Sequence, residues 1–200
     1  MTSCYYFIDT ETTGLDYRRN SIIEFGGIKV CEGLIAKEID IKIKPDESKE
    51  IDPKALQVNG YSKSKWRDAN TQEEAAYLIA SFFDEPGLLV GHNIWFDRQF
   101  LCSILNSEQI QSVPFRRICT RDLSVSLLSQ YGLQSFTLQS VCDFLGLVNH
   151  RPHSAYSDAY ACYEICKILN PFDPYARFLV HQWLGLHGPG PLPHEIKILL

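Results

Sequence analysis

The chain has 200 residues, 45% of them hydrophobic, and a formal net charge of −5 at pH 7. That length supports one full hydrophobic core rather than two independent ones. The acidic balance argues against a broad basic surface for gripping duplex DNA, because neutralising phosphates needs clustered Lys and Arg. It leaves room for nucleic acid drawn to a metal-filled acidic pocket. Seven cysteines, Cys4, Cys31, Cys102, Cys119, Cys142, Cys162 and Cys166, lie in apolar stretches. They are odd in number and form no C-x-x-C pair, so they read as reduced core thiols rather than a disulfide framework or zinc knuckle. No charged leader with an apolar core opens the chain, and no apolar run nears the ~18 residues of a membrane span. A soluble intracellular protein, cytoplasmic or otherwise, with no membrane partner is the expectation.

From Cys4 to Ile43 the pattern predicts three neighbouring antiparallel strands: CYYFID, SIIEFGGIKV, and GLIAKEIDIKIK with alternation at Ile35, Ile39, Ile41 and Ile43. A polar stretch containing Pro45 and Pro53 follows. Thr71 then opens a helix with Ala75, Leu78, Ile79, Phe82 and Phe83 on one side, stopped by Pro86-Gly87. LLV at 88–90 reads as a short central strand, turned by Gly91-His92-Asn93 into a helix over about 96–105. Beyond it come a strand near 117–119 and helices over 120–128, 137–144 and 154–169. Three strands followed by alternating helices and single strands predict an α/β domain over residues 1–170, its mixed five-stranded sheet flanked by helices. Residues 171–200 form a proline-rich C-terminal extension, with one short helix around 177–184. The spacings of His181, His187 and His194 match no metal-ligand pattern.

The first strand ends in Asp9-Thr10-Glu11, and residues i and i+2 of a strand share a face. Alone this means little, because 24 acids in 200 residues give roughly three chance pairs at that spacing. The odds change with Asp97, placed after a central strand in GHNIWFD, and with Asp158, placed beside the apolar stripe of Ala155, Ala159, Cys162 and Ile165. A carboxylate there needs a partner, since an unpaired buried charge costs several kcal/mol. A divalent metal suits all four acids at once.

DTETTG, GHNIWFD and HSAYSD closely resemble the three motifs of the DEDDh branch of the DnaQ-like 3′→5′ exonucleases, whose fold is ribonuclease H-like. The likeness spans about residues 4–169. It implies that Asp9, Glu11, Asp97 and Asp158 organise two divalent ions, Mg²⁺ or Mn²⁺, and that His153 acts as general base. It further implies that Thr12, Thr13, Gly14 and Leu15 approach the terminal nucleotide, Leu15 as a wedge against a base. Lys54 and Asn59 lie on a segment that could touch sugar or base, His92 and Asn93 are expected to orient the turn before Asp97, and Trp95 is open to base stacking, whereas Phe96 reads as core. The implied activity is metal-dependent hydrolysis at 3′ ends of single-stranded or frayed DNA, of a proofreading or repair type, releasing nucleoside 5′-monophosphates. RNA trimming by the same chemistry is the alternative within enzymes, and a noncatalytic nucleic-acid- or polymerase-binding module is the alternative outside them. The extension suits capping of the domain, a homodimer contact or docking on a polymerase, and nothing in its residues chooses among these.

Overall fold

The computed structural model describes residues 4–108, 113–114, 116–169 and 186. The C-terminal extension and its expected helix lie outside the described residues. Five strands form one mixed sheet in the order β3-β2-β1-β4-β5: β1 Cys4–Thr12, β2 Ile22–Cys31, β3 Leu34–Lys42, β4 Gly87–Gly91 and β5 Arg117–Cys119. The first three are antiparallel neighbours, while β4 runs parallel to β1 and β5 parallel to β4. β1 is therefore central and buried on both faces, which is why its residues read as a continuous apolar run.

On one face, Tyr6 and Ile8 of β1 and Phe25 of β2 pack with α2 (Gln72–Phe82) and α3 (Ile94–Ser107). On the other, Phe7, Ile28, Val30 and Val90 pack with Cys162 and Cys166 of α6 (Ala155–Leu169). Helices α4 (Thr120–Leu128) and α5 (Leu138–Leu145) complete that layer through Leu127, Leu128, Val141 and Leu145. Two adjacent glycines in β2 set how closely the layers approach. A Cβ on Gly26 would lie 2.1 Å from the Tyr156 backbone nitrogen, and one on Gly27 would lie 2.8 Å from the Phe82 ring. Gly26 thus lets the first turn of α6 rest directly on the strand backbone.

Several local expectations change. Cys4 and Cys31, expected as free thiols, form a disulfide joining facing positions of β1 and β2, whereas Cys142, Cys162 and Cys166 are buried and free. A parity argument does not reveal which thiols face each other across a sheet. The segment after Pro53 is helical as α1 (Pro53–Val58), capped by Asp52, whose side chain accepts from the Lys54 N–H, with Pro53 in the first turn. Its brevity hid it from periodicity. Leu78 is 40% exposed rather than facing the core, because α2 buries Ala75, Ala76, Ile79 and Phe82 instead. Ile35 is exposed because an irregularity in the β2–β3 pairing, between the Lys29↔Lys37 and Val30↔Ile35 pairs, reverses the alternation that Ile39 and Ile41 follow.

Candidate active site

Asp9 and Glu11 project from the carboxyl-terminal half of β1 on the α6 face, opposite Gly26 and Glu24 of β2. Thr10, between them, faces the other side, where its backbone N–H (3.0 Å) and its hydroxyl (2.8 Å) both donate to Asp97 Oδ1. Asp97 is 2% exposed in the first turn of α3. That helix begins at Asn93, whose φ of +69° reverses the chain directly after β4 and aims the first turn back toward β1.

Asp158 enters from the first turn of α6. One of its oxygens accepts from the Asn149 side-chain amide and the other from the His153 backbone N–H at 3.2 Å. His153 itself has φ +64° in the tight turn before the helix and is exposed. Ligand atoms of Glu11, His153 and Asp158 all lie within 4.8 Å of one another.

Burial, then the neighbouring Asp97, Asp158, Glu11 and Glu24 carboxylates, push Asp9 well above the usual carboxylate range. Burial is also the largest cause for Glu11, raised to about 8 with Asp158, Glu24 and Asp97 adding to it. Burial raises Asp97 to about 7 against the lowering effect of the Thr10 hydrogen bonds. Asp158 is raised by burial, opposed by Asn149 and the His153 amide. The charged neighbours that raise Asp9 are all acids. Such a group either holds protons or holds a cation. An all-carboxylate set beside one imidazole suits a hard divalent ion such as Mg²⁺ or Mn²⁺. Among the described residues a second metal-capable grouping, Cys4, Cys31 and Glu85, has its two sulfurs joined to each other.

The other sequence-predicted residues divide by where their polar atoms are engaged. The Thr12 hydroxyl donates to the Gly14 carbonyl (2.7 Å), and the Thr13 hydroxyl donates to the Glu50 carbonyl (2.9 Å) while accepting from the Ser21 N–H. Gly14 packs against Asn20 so tightly that a Cβ would sit 2.5 Å from its side chain. Leu15, 83% exposed, stands free at the tip of the turn. Asn59 is buried, its amide donating to the Thr12 carbonyl at 3.1 Å, so it supports the turn from beneath. Lys54 is exposed on α1. The His92 ring bridges the Thr120 hydroxyl (3.1 Å) and the Phe136 carbonyl (2.8 Å), tying the end of β4 to the layer of α4 and α5. Asn93 contributes backbone conformation and makes no side-chain cap. Phe96 packs on Phe100, and Trp95 is 51% exposed beneath the Arg117 guanidinium.

Two residues at the site escaped the sequence reading. Asn149 carried no signal. Glu24 did, as the one acid inside the apolar run SIIEFGG, and it is buried at 4% exposure.

A β-strand pair of acids met by one acid from each of two helices, on a mixed sheet in this order, is the architecture of a ribonuclease H-like exonuclease. The structure superposes on Escherichia coli exonuclease I crystallised with a dA16 oligonucleotide, with a TM-score of 0.76 at 21% identity, covering 88% of this chain and 42% of that one. The sequence profile described as exonuclease matches residues 6–166. The chain therefore belongs to the exonuclease family, in the DnaQ-like DEDD group that also holds DNA polymerase III epsilon, PolC and ribonuclease T. It is 35% identical over 157 residues to DNA polymerase III PolC-type of Thermotoga maritima, covering 78% of this chain and 11% of that protein. Ribonuclease T of Buchnera aphidicola subsp. Baizongia pistaciae is 30% identical over 180 residues, covering 82% of each. The epsilon subunit of DNA polymerase III from Treponema pallidum is 27% identical, covering 78% of this chain and 72% of that one. The match thus spans about a tenth of the polymerase and under half of exonuclease I. Among the described residues, no helix is long and apolar enough to cross a membrane.

Proposed function

We propose that the protein is a metal-dependent 3′→5′ exonuclease that removes nucleoside 5′-monophosphates from single-stranded or frayed 3′ ends. One observation carries this reading: ligand atoms of Glu11, His153 and Asp158 lie within 4.8 Å of one another, beside Asp9, which Asp97, Asp158 and Glu11 perturb. Asp9, Glu11, Asp97 and Asp158 would hold two divalent ions, Mg²⁺ or Mn²⁺. When bound, such ions supply Lewis-acid polarisation of the phosphodiester and a lowered pKa for attacking water.

The chain's own residues do the rest. The exposed His153 imidazole accepts the proton of the attacking water as general base. The His153 backbone N–H, on Asp158, couples the base's turn to the acid cluster. The Thr12–Leu15 turn, braced by Asn59, offers backbone groups to the terminal sugar and the Leu15 side chain to its base. Trp95 adds an exposed aromatic face for stacking.

DNA is the favoured substrate, supported by the PolC and epsilon relatives and by the oligonucleotide complexes of the structural neighbour. RNA trimming is the second reading, supported by ribonuclease T, whose match covers 82% of both chains where the PolC match covers 11% of its protein. Docking on a polymerase, in the manner the epsilon relative's name implies for that protein, remains part of the first reading. Oligonucleotides of DNA and RNA labelled at the 5′ end, given to wild type and Asp9→Ala with Mg²⁺, Mn²⁺ or EDTA, test both. Shortening from the 3′ end that survives EDTA and Asp9→Ala rejects the metal-dependent reading, and the ratio of DNA to RNA rates chooses the substrate.

A further inference from the structure

Glu24 and Glu11 stand directly opposite each other on β2 and β1. Like charges at facing positions of an antiparallel pair repel, so both are retained only if each has a separate engagement. Glu11 lies with His153 and Asp158. Glu24 turns to α6: its Oε1 accepts from the Ala155 backbone N–H at 3.0 Å and from the Ser154 hydroxyl at 3.2 Å, while Oε2 lies 4.0 Å from Lys42 Nζ.

The first N–H groups of a helix have no partner inside it, and an anionic acceptor there is favoured by the helix dipole. Ordinarily the residue just before the helix supplies that acceptor from its own side chain. Ser154 occupies that place, since its carbonyl accepts the Asp158 N–H at 3.0 Å. Its hydroxyl, however, donates outward to Glu24 instead of capping its own helix. The acceptor arrives instead from another strand, 131 residues away from Ala155 in sequence. Gly26, two residues along β2, lets the same turn rest on the strand backbone.

We propose that Glu24 is a positioning residue: by anchoring the first turn of α6 to β2, it sets Asp158 and His153 in register with Glu11. The proposal rests on the exonuclease reading of the cluster. Asp158 sits one turn inside the anchored end and His153 one residue before it, so slippage of this turn moves both relative to Asp9 and Glu11, which stay on β1. A misplacement of about 1 Å in a reacting constellation costs up to about a hundredfold in rate.

The test compares Glu24→Ala, Glu24→Gln and Ser154→Ala in the full chain by steady-state cleavage of a DNA oligonucleotide and by amide hydrogen exchange. Expected for Glu24→Ala is a kcat lower by about ten- to a hundredfold, a KM within twofold of wild type, and faster exchange at the first turn of α6 but not of α2. Glu24→Gln keeps a carbonyl oxygen to accept the same two bonds, so it should recover most of both readouts. Ser154→Ala, which removes one of the two donors, should fall between and stands in if Glu24→Ala does not fold. An unchanged kcat in Glu24→Ala, or a Glu24→Gln as impaired as Glu24→Ala, overturns the proposal, the latter because charge rather than the acceptor would then matter. If wild type cleaves no oligonucleotide, the exonuclease reading fails separately. The exchange comparison then still decides whether Glu24 anchors the helix.

Discussion

The two ends of β1 handle buried charge in opposite ways. At the amino-terminal end, Lys29 is buried but meets Asp84 at 2.6 Å and Glu85 at 2.9 Å, its ammonium also lying near the Tyr6 ring. The Tyr6 hydroxyl donates to the Glu85 carbonyl and accepts from the Glu85 N–H, and the Cys4–Cys31 disulfide joins the strands beside them. Lys29 is held protonated there, its pKa raised by the two carboxylates against the opposing effect of burial. At the carboxyl-terminal end four acids converge, all raised by burial, with neighbouring acids adding to the rise of Asp9, Glu11 and Asp97. One end is neutralised by the protein itself and is structural. The other gathers acids whose charge is favoured by a bound cation or relieved by protons, which is what makes it the candidate site.

Asp9→Ala and Asp158→Ala should each lower kcat by about 10³-fold or more, the scale of losing a metal that stabilises transition-state charge, while leaving the fold intact by circular dichroism. His153→Ala should lose about 10²- to 10⁴-fold in kcat yet bind Mn²⁺ in calorimetry as wild type does. An unchanged rate would remove His153 from the base role. On the neutralised side, Asp84→Ala with Glu85→Ala strands the Lys29 ammonium and should destabilise by about 3–5 kcal/mol in urea unfolding. Conversely, Asp9→Asn should raise the Tm of metal-free protein at pH 8, because it removes a carboxyl group whose charged form is disfavoured by burial and by the neighbouring acids.

pH sharpens the same contrast. Glu11 and Asp97 are raised to about 8 and about 7 in the folded protein, so the native state holds more protons than the unfolded chain between the ordinary carboxylate range and those values. Stability then falls as pH rises across that window. In EDTA, Tm should drop between pH 5 and pH 8.5, and excess Mg²⁺ should flatten or reverse the slope, since ions displace the protons. A Tm in EDTA that rises over this range would contradict the raised pKa values. The smallest effect is expected from reducing Cys4–Cys31: a modest loss of Tm, read by calorimetry with and without reductant, and unchanged cleavage.

Local signals made much of the fold legible. α2 was readable because Thr71 opens an apolar stripe, to which the structure adds a reciprocal capping box between Thr71 and Glu74. α4 begins and ends at the expected residues, and β4 stood out as an apolar triplet between a Pro-Gly stop and a Gly-His-Asn turn. The five candidate catalytic residues were nameable because three separate motifs occur in order, each at the end of a predicted element. What escaped was set by distance along the chain. The partner of Cys4 is a residue on a neighbouring strand, and the exposure of Leu78 and Ile35 depends on how a helix is rolled and where a strand pairing slips. Thr12 and Thr13 were expected near the terminal nucleotide, and the sequence did not reveal that their hydroxyls serve the Gly14 and Glu50 carbonyls.

The sequence by itself thus determined which acids exist, their order, and the strand and helix ends that carry them, because hydrophobic period and capping are short-range properties. Only the tertiary structure decided that Thr10 holds Asp97, that Glu24 of β2 receives the first turn of α6, and that Glu11, His153 and Asp158 meet within one ion's reach. Those contacts join residues dozens to more than a hundred positions apart, and sheet order and the close packing at Gly26 bring them together.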